Sequence, residues 1–137
     1  MTVFFITGKK LKYLLAVLNS KLIFWFFNLI CAESGVGTNR WKKTYVEQLP
    51  IPNIDENLEK VFTNLVDEVL ISKQKIKDYR VLLDKAIKDD NFDREIKLQT
   101  EIEAFKKIVF ESEIEIDEMV YKLYDLTDDE IEIVKNQ

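Results

Sequence analysis

The clearest pattern in the chain is a pair of heptad repeats in its second half. In two series, apolar positions alternate between steps of four and three residues, which is the a/d pattern of helices that pack along a seam. The series are Leu58, Phe62, Leu65, Val69, Ser72, Ile76, Tyr79, Leu83, Ala86 and Leu98, Ile102, Phe105, Val109, Ser112, Ile116, Met119, Leu123, Leu126. The pattern predicts two long amphipathic helices.

The polar stretch between the two series predicts the tip of a helical hairpin. Residues 88–94 read Lys-Asp-Asp-Asn-Phe-Asp-Arg and are rich in turn formers. Ser72 and Ser112, the polar breaks in the two seams, lie equally far from Phe92 along the chain. They would therefore meet if the chain folds back there, which favours an antiparallel two-helix coiled coil. A capping box at Thr127 and Glu130 predicts a short final helix.

The first part of the chain has a mixed pattern. The β-branched and aromatic run Val3–Thr7 predicts a short strand, and we expect the rest of its sheet to lie outside this chain. Apolar residues at helical spacing then predict one helix or two end-to-end helices between Lys9 and about Ala32, with a break or a new N-cap at Asn19 and Ser20.

The segment after this helical region predicts extended backbone. Alternation over Arg40–Val46 indicates an extended stretch, and Pro50 and Pro52 make the following residues non-helical, as a hinge between two halves would be. The predicted fold is mostly α, a long antiparallel two-helix coiled-coil hairpin plus a small α/β head. The predicted domains are 1–52, with strand, helix and basic extended segment, and 53–137, the hairpin with its short C-terminal helix.

A membrane span is the alternative for Leu11–Ala32, because this length of helix can cross a bilayer. Polar residues cut the stretch into short apolar pieces and disfavour a span; they are Lys12, Asn19, Ser20, Lys21 and Asn28. Cys31 is the one cysteine of the chain, so no disulfide framework exists, which fits a reducing cytoplasm.

Charge divides the chain more sharply than its net value of −5 indicates. Residues 1–52 hold seven basic and two acidic side chains, giving +5, whereas residues 53–137 hold 13 basic and 23 acidic ones, giving −10. An anionic polymer such as DNA is therefore attracted to the first part and repelled by the second.

Few residues can support catalysis. The chain has no histidine and one cysteine, which excludes a zinc finger and histidine-based catalysis within it. No phosphate-binding glycine loop of the GxxxxGK[ST] kind is present. The carboxylates of the second helix are read as a solvated face rather than as metal ligands or acid/base pairs; they are Glu111, Glu113, Glu115, Asp117 and Glu118.

A cluster of basic residues with one tryptophan is the candidate DNA-binding site. Arg40 can reach a guanine edge or a phosphate, Lys42 and Lys43 can neutralise the backbone, and Trp41 can stack or pack. The alternative is a cationic edge strand with Trp41 in the core. The complete candidate set is Lys9, Lys10, Arg40, Trp41, Lys42 and Lys43.

Four segments together resemble a known family. They are Phe5-Ile6-Thr7-Gly8, Leu14-Leu15-Ala16-Val17-Leu18-Asn19-Ser20-Lys21-Leu22, Arg40-Trp41-Lys42-Lys43 and Val46-Glu47-Gln48-Leu49-Pro50-Ile51-Pro52. This order resembles the end of the target recognition domain of Taq-type N6-adenine DNA methyltransferases and type IIG restriction-modification enzymes. The tail Ile116–Thr127 resembles the ending of those polypeptides, although their common glycine is Asp125 here.

The resemblance implies that the small α/β head is the remnant of a recognition domain. It also implies DNA sequence recognition for an S-adenosylmethionine-dependent adenine methyltransferase, often fused to a nuclease. The Asn-Pro-Pro-aromatic motif of those enzymes is absent, so we expect no catalytic, cofactor or metal residues in this chain. The expected partners are double-stranded DNA and the rest of the parent methyltransferase or endonuclease, with no membrane. The alternative function is a coiled-coil interaction module without DNA binding, including a homodimer through the hairpin.

Overall fold

The computed structural model describes residues 5–33 and 42–136, and these residues are mostly helical. The helices are α1 (Leu11–Leu18), α2 (Lys21–Glu33), α3 (Lys43–Val46), α4 (Glu56–Lys88), α5 (Phe92–Leu123) and α6 (Asp128–Lys135). Within the two described stretches no residue is assigned to a strand. The mostly α class is therefore confirmed.

Helices α4 and α5 pack against each other as a hairpin, which confirms the main prediction. All positions of the two predicted seams are buried or half-buried. Tyr79 and Phe105, equally distant from Phe92, pack edge to face with ring centroids 5.7 Å apart, as the predicted register requires. Ser72 and Ser112 are both buried, and Ser112 Oγ donates to Glu68 Oε2 at 2.9 Å, which satisfies that buried hydroxyl.

The tip of the hairpin is a short turn with a cap on each helix. Asp90 has φ +51 and ends α4 in a Schellman motif, in which Asn91 N–H donates to Ala86 O at 2.9 Å. Asn91 Oδ1 then accepts from Arg94 N–H at 3.2 Å, capping the start of α5. The predicted turn is thus confirmed within residues 88–94.

The final helix begins as its capping box predicts. Thr127 Oγ1 accepts from Glu130 N–H at 3.4 Å, and Glu130 Oε2 accepts from Thr127 N–H at 2.8 Å. Hydrogen bonds from the backbone and side chain of Thr127 hold the pKa of Glu130 below its ordinary value. Asp125, before this helix, has φ +54 and ends α5 in a second Schellman motif. This left-handed region favours glycine, the residue expected there from the resemblance.

The chain forms two compact units. The head unit contains the described residues 5–33, 42–62 and 116–136, and the hairpin unit contains residues 63–115. The head unit has a core of its own, in which Phe62 and Tyr13 pack edge to face at 5.2 Å. Its buried apolar side chains are Tyr13, Ala16, Val17, Leu22, Ile23, Phe27, Cys31, Leu49, Ile54, Phe62, Ile116, Val120, Tyr121 and Val134.

The predicted α/β head is not supported, because the described part of the head is helical. Val3 and Phe4 lie outside the described residues, and Phe5–Thr7 form neither strand nor helix. Phe5 is 89% exposed, so no described part of the head covers this end of the apolar run. The extended stretch predicted over Arg40–Val46 is also wrong for Lys43–Val46, which forms α3.

The helical region of the head consists of two helices, with the break at Asn19 and Ser20 that was one of the two predicted alternatives. In the described parts of the chain, no single helix has both the length and the apolar composition of a membrane span. The pair Leu11–Leu18 and Lys21–Cys31, bent by 65° at the break, meets that test jointly by length and composition.

Candidate nucleic-acid interface

The basic residues predicted to bind DNA fall around two helix starts in the head unit. Lys9 and Lys10 precede α1, Lys42 is the N-cap of α3, and Lys43 is the first residue of α3. Arg40 and Trp41, the centre of the predicted cluster, lie outside the described residues. Lys9, Lys42 and Lys43 are exposed, as cations that contact phosphates must be.

Lys10 differs from the other cations because its ammonium group is engaged within the head. Its Nζ donates to the backbone carbonyl of Ile54 at 2.5 Å and lies 3.6 Å from the carboxylate of Glu59. Lys10 itself has φ +55 and is the N-cap of α1. Its side chain therefore ties the start of α1 to the residues around the start of α4.

Lys43 makes a contact of a much weaker kind. Its Nζ lies 3.5 Å from Glu47 Oε1, four residues later, and the two side chains are 80% and 63% exposed. Exposed pairs of this spacing contribute little, about 0.3–0.5 kcal/mol, because water screens them. Lys43 can therefore exchange Glu47 for a phosphate at small cost.

The start of α3 is held to α2 by an aromatic contact. Tyr45 packs edge to face against the buried ring of Phe27 with centroids 6.2 Å apart. Gln48 Nε2 donates to Thr44 O at 2.8 Å and closes the turn. This contact places the exposed lysines at positions 42 and 43 at the end of a segment anchored in the core.

The Leu-Pro-Ile-Pro segment is held by a polar clamp rather than by helix or sheet hydrogen bonds. Prolines have no N–H and keep the residue before them extended, so alternate carbonyls of the segment can face one side. The carbonyls of Pro50, Pro52 and Ile54 accept from Tyr124 Oη at 2.6 Å, Tyr13 Oη at 2.7 Å and Lys10 Nζ at 2.5 Å. We call these three donors the carbonyl clamp.

The two tyrosines of the clamp are stable hydrogen-bond donors. Burial, with a smaller contribution from nearby Tyr13, raises the pKa of Tyr124 to about 12, and burial also raises the pKa of Tyr13. Both hydroxyls therefore keep their protons well above neutral pH. The segment predicted to be a hinge is fixed to α1 and to the residue after α5.

The start of α2 is capped by Ser20, as one of the two predicted alternatives had it, and is also held by Asp117, a contact that sequence reasoning missed. Ser20 Oγ accepts from Ile23 N–H at 3.4 Å, while Lys21 N–H donates to Asp117 Oδ1 at 2.9 Å and Lys21 Nζ lies 3.8 Å from Asp117 Oδ2. A carboxylate at a helix N-terminus is favoured by the helix dipole. Asp117, predicted to lie on a solvated face, has a side chain only 13% exposed, so it departs from that prediction.

The carboxylates of the described chain do not form a metal site. Across residues 5–33 and 42–136, no three His, Cys, Asp or Glu side chains are grouped as ligands would be. Cys31 is buried and not disulfide-bonded. What the described geometry can do is present exposed lysines from a fixed helical head.

Comparison with known proteins found a family model that matches the first part of the chain. Residues 2–51 match the family model of the TaqI-like C-terminal specificity domain. The match spans three of the resembling segments and nearly all of the fourth, which ends at Pro52, and it confirms the resemblance for this part of the chain. It supports a recognition role in a restriction-modification enzyme. Searches of curated proteins and of solved structures found no match to the chain.

Proposed function

We propose that this chain, whose residues 2–51 match the TaqI-like C-terminal specificity domain, recognises double-stranded DNA for a restriction-modification enzyme and has no active site of its own. The observation that carries the proposal is that the matched segment coincides with the basic part of the chain, which has a charge of +5 before Asn53. Adenine methylation from S-adenosylmethionine, with or without cleavage, then belongs to other parts of the parent enzyme.

In this proposal the six candidate residues have unequal roles. Lys9, Lys42 and Lys43 are exposed and contact phosphates, while Arg40 reads a base edge or a phosphate and Trp41 stacks or packs. Lys10 acts as a positioning residue, because Ile54 and Glu59 already engage its ammonium group. Residues 1–52 are then the recognition region and residues 53–137 the docking region.

The proposal is tested by fluorescence anisotropy of a labelled mixed-sequence duplex titrated with the full chain at several salt concentrations. The variant Arg40→Ala/Lys42→Ala/Lys43→Ala removes three of the proposed contacts. Because each phosphate contact contributes about 0.9 to the slope of log affinity against log salt, the slope should fall by about 2–3.

A matched control distinguishes the loss of these contacts from a general effect of removing three positive charges. Lys75→Ala/Lys85→Ala/Lys88→Ala removes the same charge from exposed positions of α4. The control should keep the wild-type salt slope. DNA binding by the head is ruled out if the wild type does not bind at low salt, or if the two triple variants bind alike.

A further inference from the structure

One side of the hairpin unit carries an open groove between α4 and α5, with a volume of about 670 Å³. Its charged lining includes Lys73, Lys77 and Arg80 from α4 and Lys106 from α5. We call it the basic groove. It lies entirely within residues 63–115, so it is separate from the proposed DNA contacts, and a ligand of the groove would not require them.

The charge of the basic groove is opposite to that of its surroundings. Residues 63–115 hold ten basic and thirteen acidic side chains, giving −3, whereas the groove has four cations against the carboxylates of Asp84 and Glu113. Lys73 pairs with Glu113 at 2.7 Å, and Lys106 pairs with Glu103 at 2.6 Å. Lys77 and Arg80 make no ion pair with any described residue. The positive charge that remains in the groove therefore comes from Lys77 and Arg80, with Asp84 as the one lining carboxylate not already paired with Lys73 or Lys106.

Apolar side chains lie beside these cations. Phe110 is 64% exposed and Val81 is 66% exposed, and both line the groove, whose floor includes the buried seam residues Ile76 and Val109. Large apolar side chains exposed next to a buried apolar floor are typical of a surface that a partner covers. A partner must therefore offer apolar anchors as well as negative charge.

The shape and spacing of the groove fit a helix. Lys73, Lys77 and Arg80 are separated by four and three residues, so they form one row along α4 over about 10 Å. A groove between two packed helices accepts a third helix whose anchors recur every three to four residues. A DNA duplex fits less well, because the hairpin unit is net negative and Phe110 and Val81 would face its phosphates.

From these observations we propose that the basic groove binds an acidic amphipathic helix of another polypeptide segment. Its apolar face covers Phe110 and Val81, and its carboxylates pair with Lys77 and Arg80. This gives the hairpin a specific docking face rather than a uniform surface.

The probe is a labelled peptide of about 20 residues, long enough for a stable row of anchors, with leucines at alternating three- and four-residue steps and glutamates flanking them. Its binding to the full chain is measured by anisotropy. Lys77→Glu/Arg80→Glu should weaken binding on the order of tenfold or more, because two attractive charges become repulsive. Lys75→Glu/Lys85→Glu, an equal charge reversal outside the groove, should leave binding unchanged.

Two further experiments test the apolar contacts and the charge of the peptide separately. Phe110→Ser should weaken binding, whereas Phe92→Ser, at another exposed phenylalanine of the same unit, should not. A peptide with every glutamate replaced by lysine should bind at least tenfold more weakly. The proposal is overturned if the lysine peptide binds equally well, if both charge reversals have the same effect, or if a duplex competes with the peptide for Lys77 and Arg80. Circular dichroism of each variant confirms that the helices are retained.

Discussion

Successive turns of the hairpin unit repeat one kind of contact, whereas the head unit depends on contacts that each occur once. In the hairpin unit, seam side chains such as Ile76 and Val109 are buried layer after layer. In the head unit, the carbonyl clamp and the pair formed by Lys21 and Asp117 join segments 39 to 96 residues apart. A lost seam contact leaves similar neighbours in place, but a lost head contact has no duplicate.

This difference bears on what each unit can do. A recognition surface must hold its side chains in one arrangement, which requires supporting residues that are themselves fixed. The clamp residues Tyr13 and Tyr124 fix Pro52 and Pro50 in this way, a few residues after the exposed Lys42 and Lys43 along the chain. A repeated seam instead leaves the outer helix faces free to vary, and the basic groove occupies one of those faces.

The largest expected effect on the free energy of unfolding comes from removing the phenylalanine of a phenylalanine–tyrosine pair. Each unit has one such pair. Phe62 is fully buried and packs on Tyr13, whereas Phe105 is half-buried and packs on Tyr79. Phe62→Ala should lower the free energy of unfolding by about 3–5 kcal/mol, and Phe105→Ala by less, because a cavity at a buried site cannot be filled by water. Urea unfolding followed by circular dichroism measures both. An equal or greater loss for Phe105→Ala would contradict the comparison.

Removing one hydrogen bond of the carbonyl clamp should have an intermediate effect on the free energy of unfolding, and this effect depends on pH. Tyr124→Phe removes the bond to Pro50 O and should lower the free energy of unfolding by about 1 kcal/mol at neutral pH. Because the folded-state pKa of Tyr124 is raised from 10.0 to about 12, its stabilisation is complete below pH 10 and is lost as pH rises towards 12. Between pH 8 and 12 the free energy of unfolding should fall less for Tyr124→Phe than for the wild type. Identical losses would show that Tyr124 is not the group responsible.

The hairpin was predictable because its information is local and repeated. Heptad spacing specifies which face of each helix is buried, and the equal distances of Ser72 and Ser112 from Phe92 specify how the two faces meet. The capping box at Thr127 was predictable for the same reason, since its partners lie within three residues.

In the head, the similarity of residues 2–51 to a known specificity domain and the helix break were predictable, and little else was. Periodicity cannot say which distant group will satisfy a carbonyl, so the contacts of Tyr124, Tyr13 and Asp117 were missed. The one available sign was the pair Pro50 and Pro52. A segment that cannot form a helix leaves backbone carbonyls that other donors must satisfy. Alternation over Lys43–Val46 was too short to separate strand from helix, and the contact of Tyr45 with Phe27 accompanies helix there.

The smallest expected effect on the free energy of unfolding is at two helix ends, one in each unit, that have the same backbone conformation. Asp90 ends α4 in the hairpin unit and Asp125 ends α5 in the head unit, with φ of +51 and +54. Asp90→Gly and Asp125→Gly should each raise the free energy of unfolding by about 0.5–1 kcal/mol, because glycine adopts this conformation without steric strain. Asp89→Gly, at a residue without positive φ, should not stabilise. Thermal unfolding measures all three. Since the strain is local, the two gains should be equal, and a gain confined to one unit would mean that the surrounding contacts, rather than the turn, set the cost.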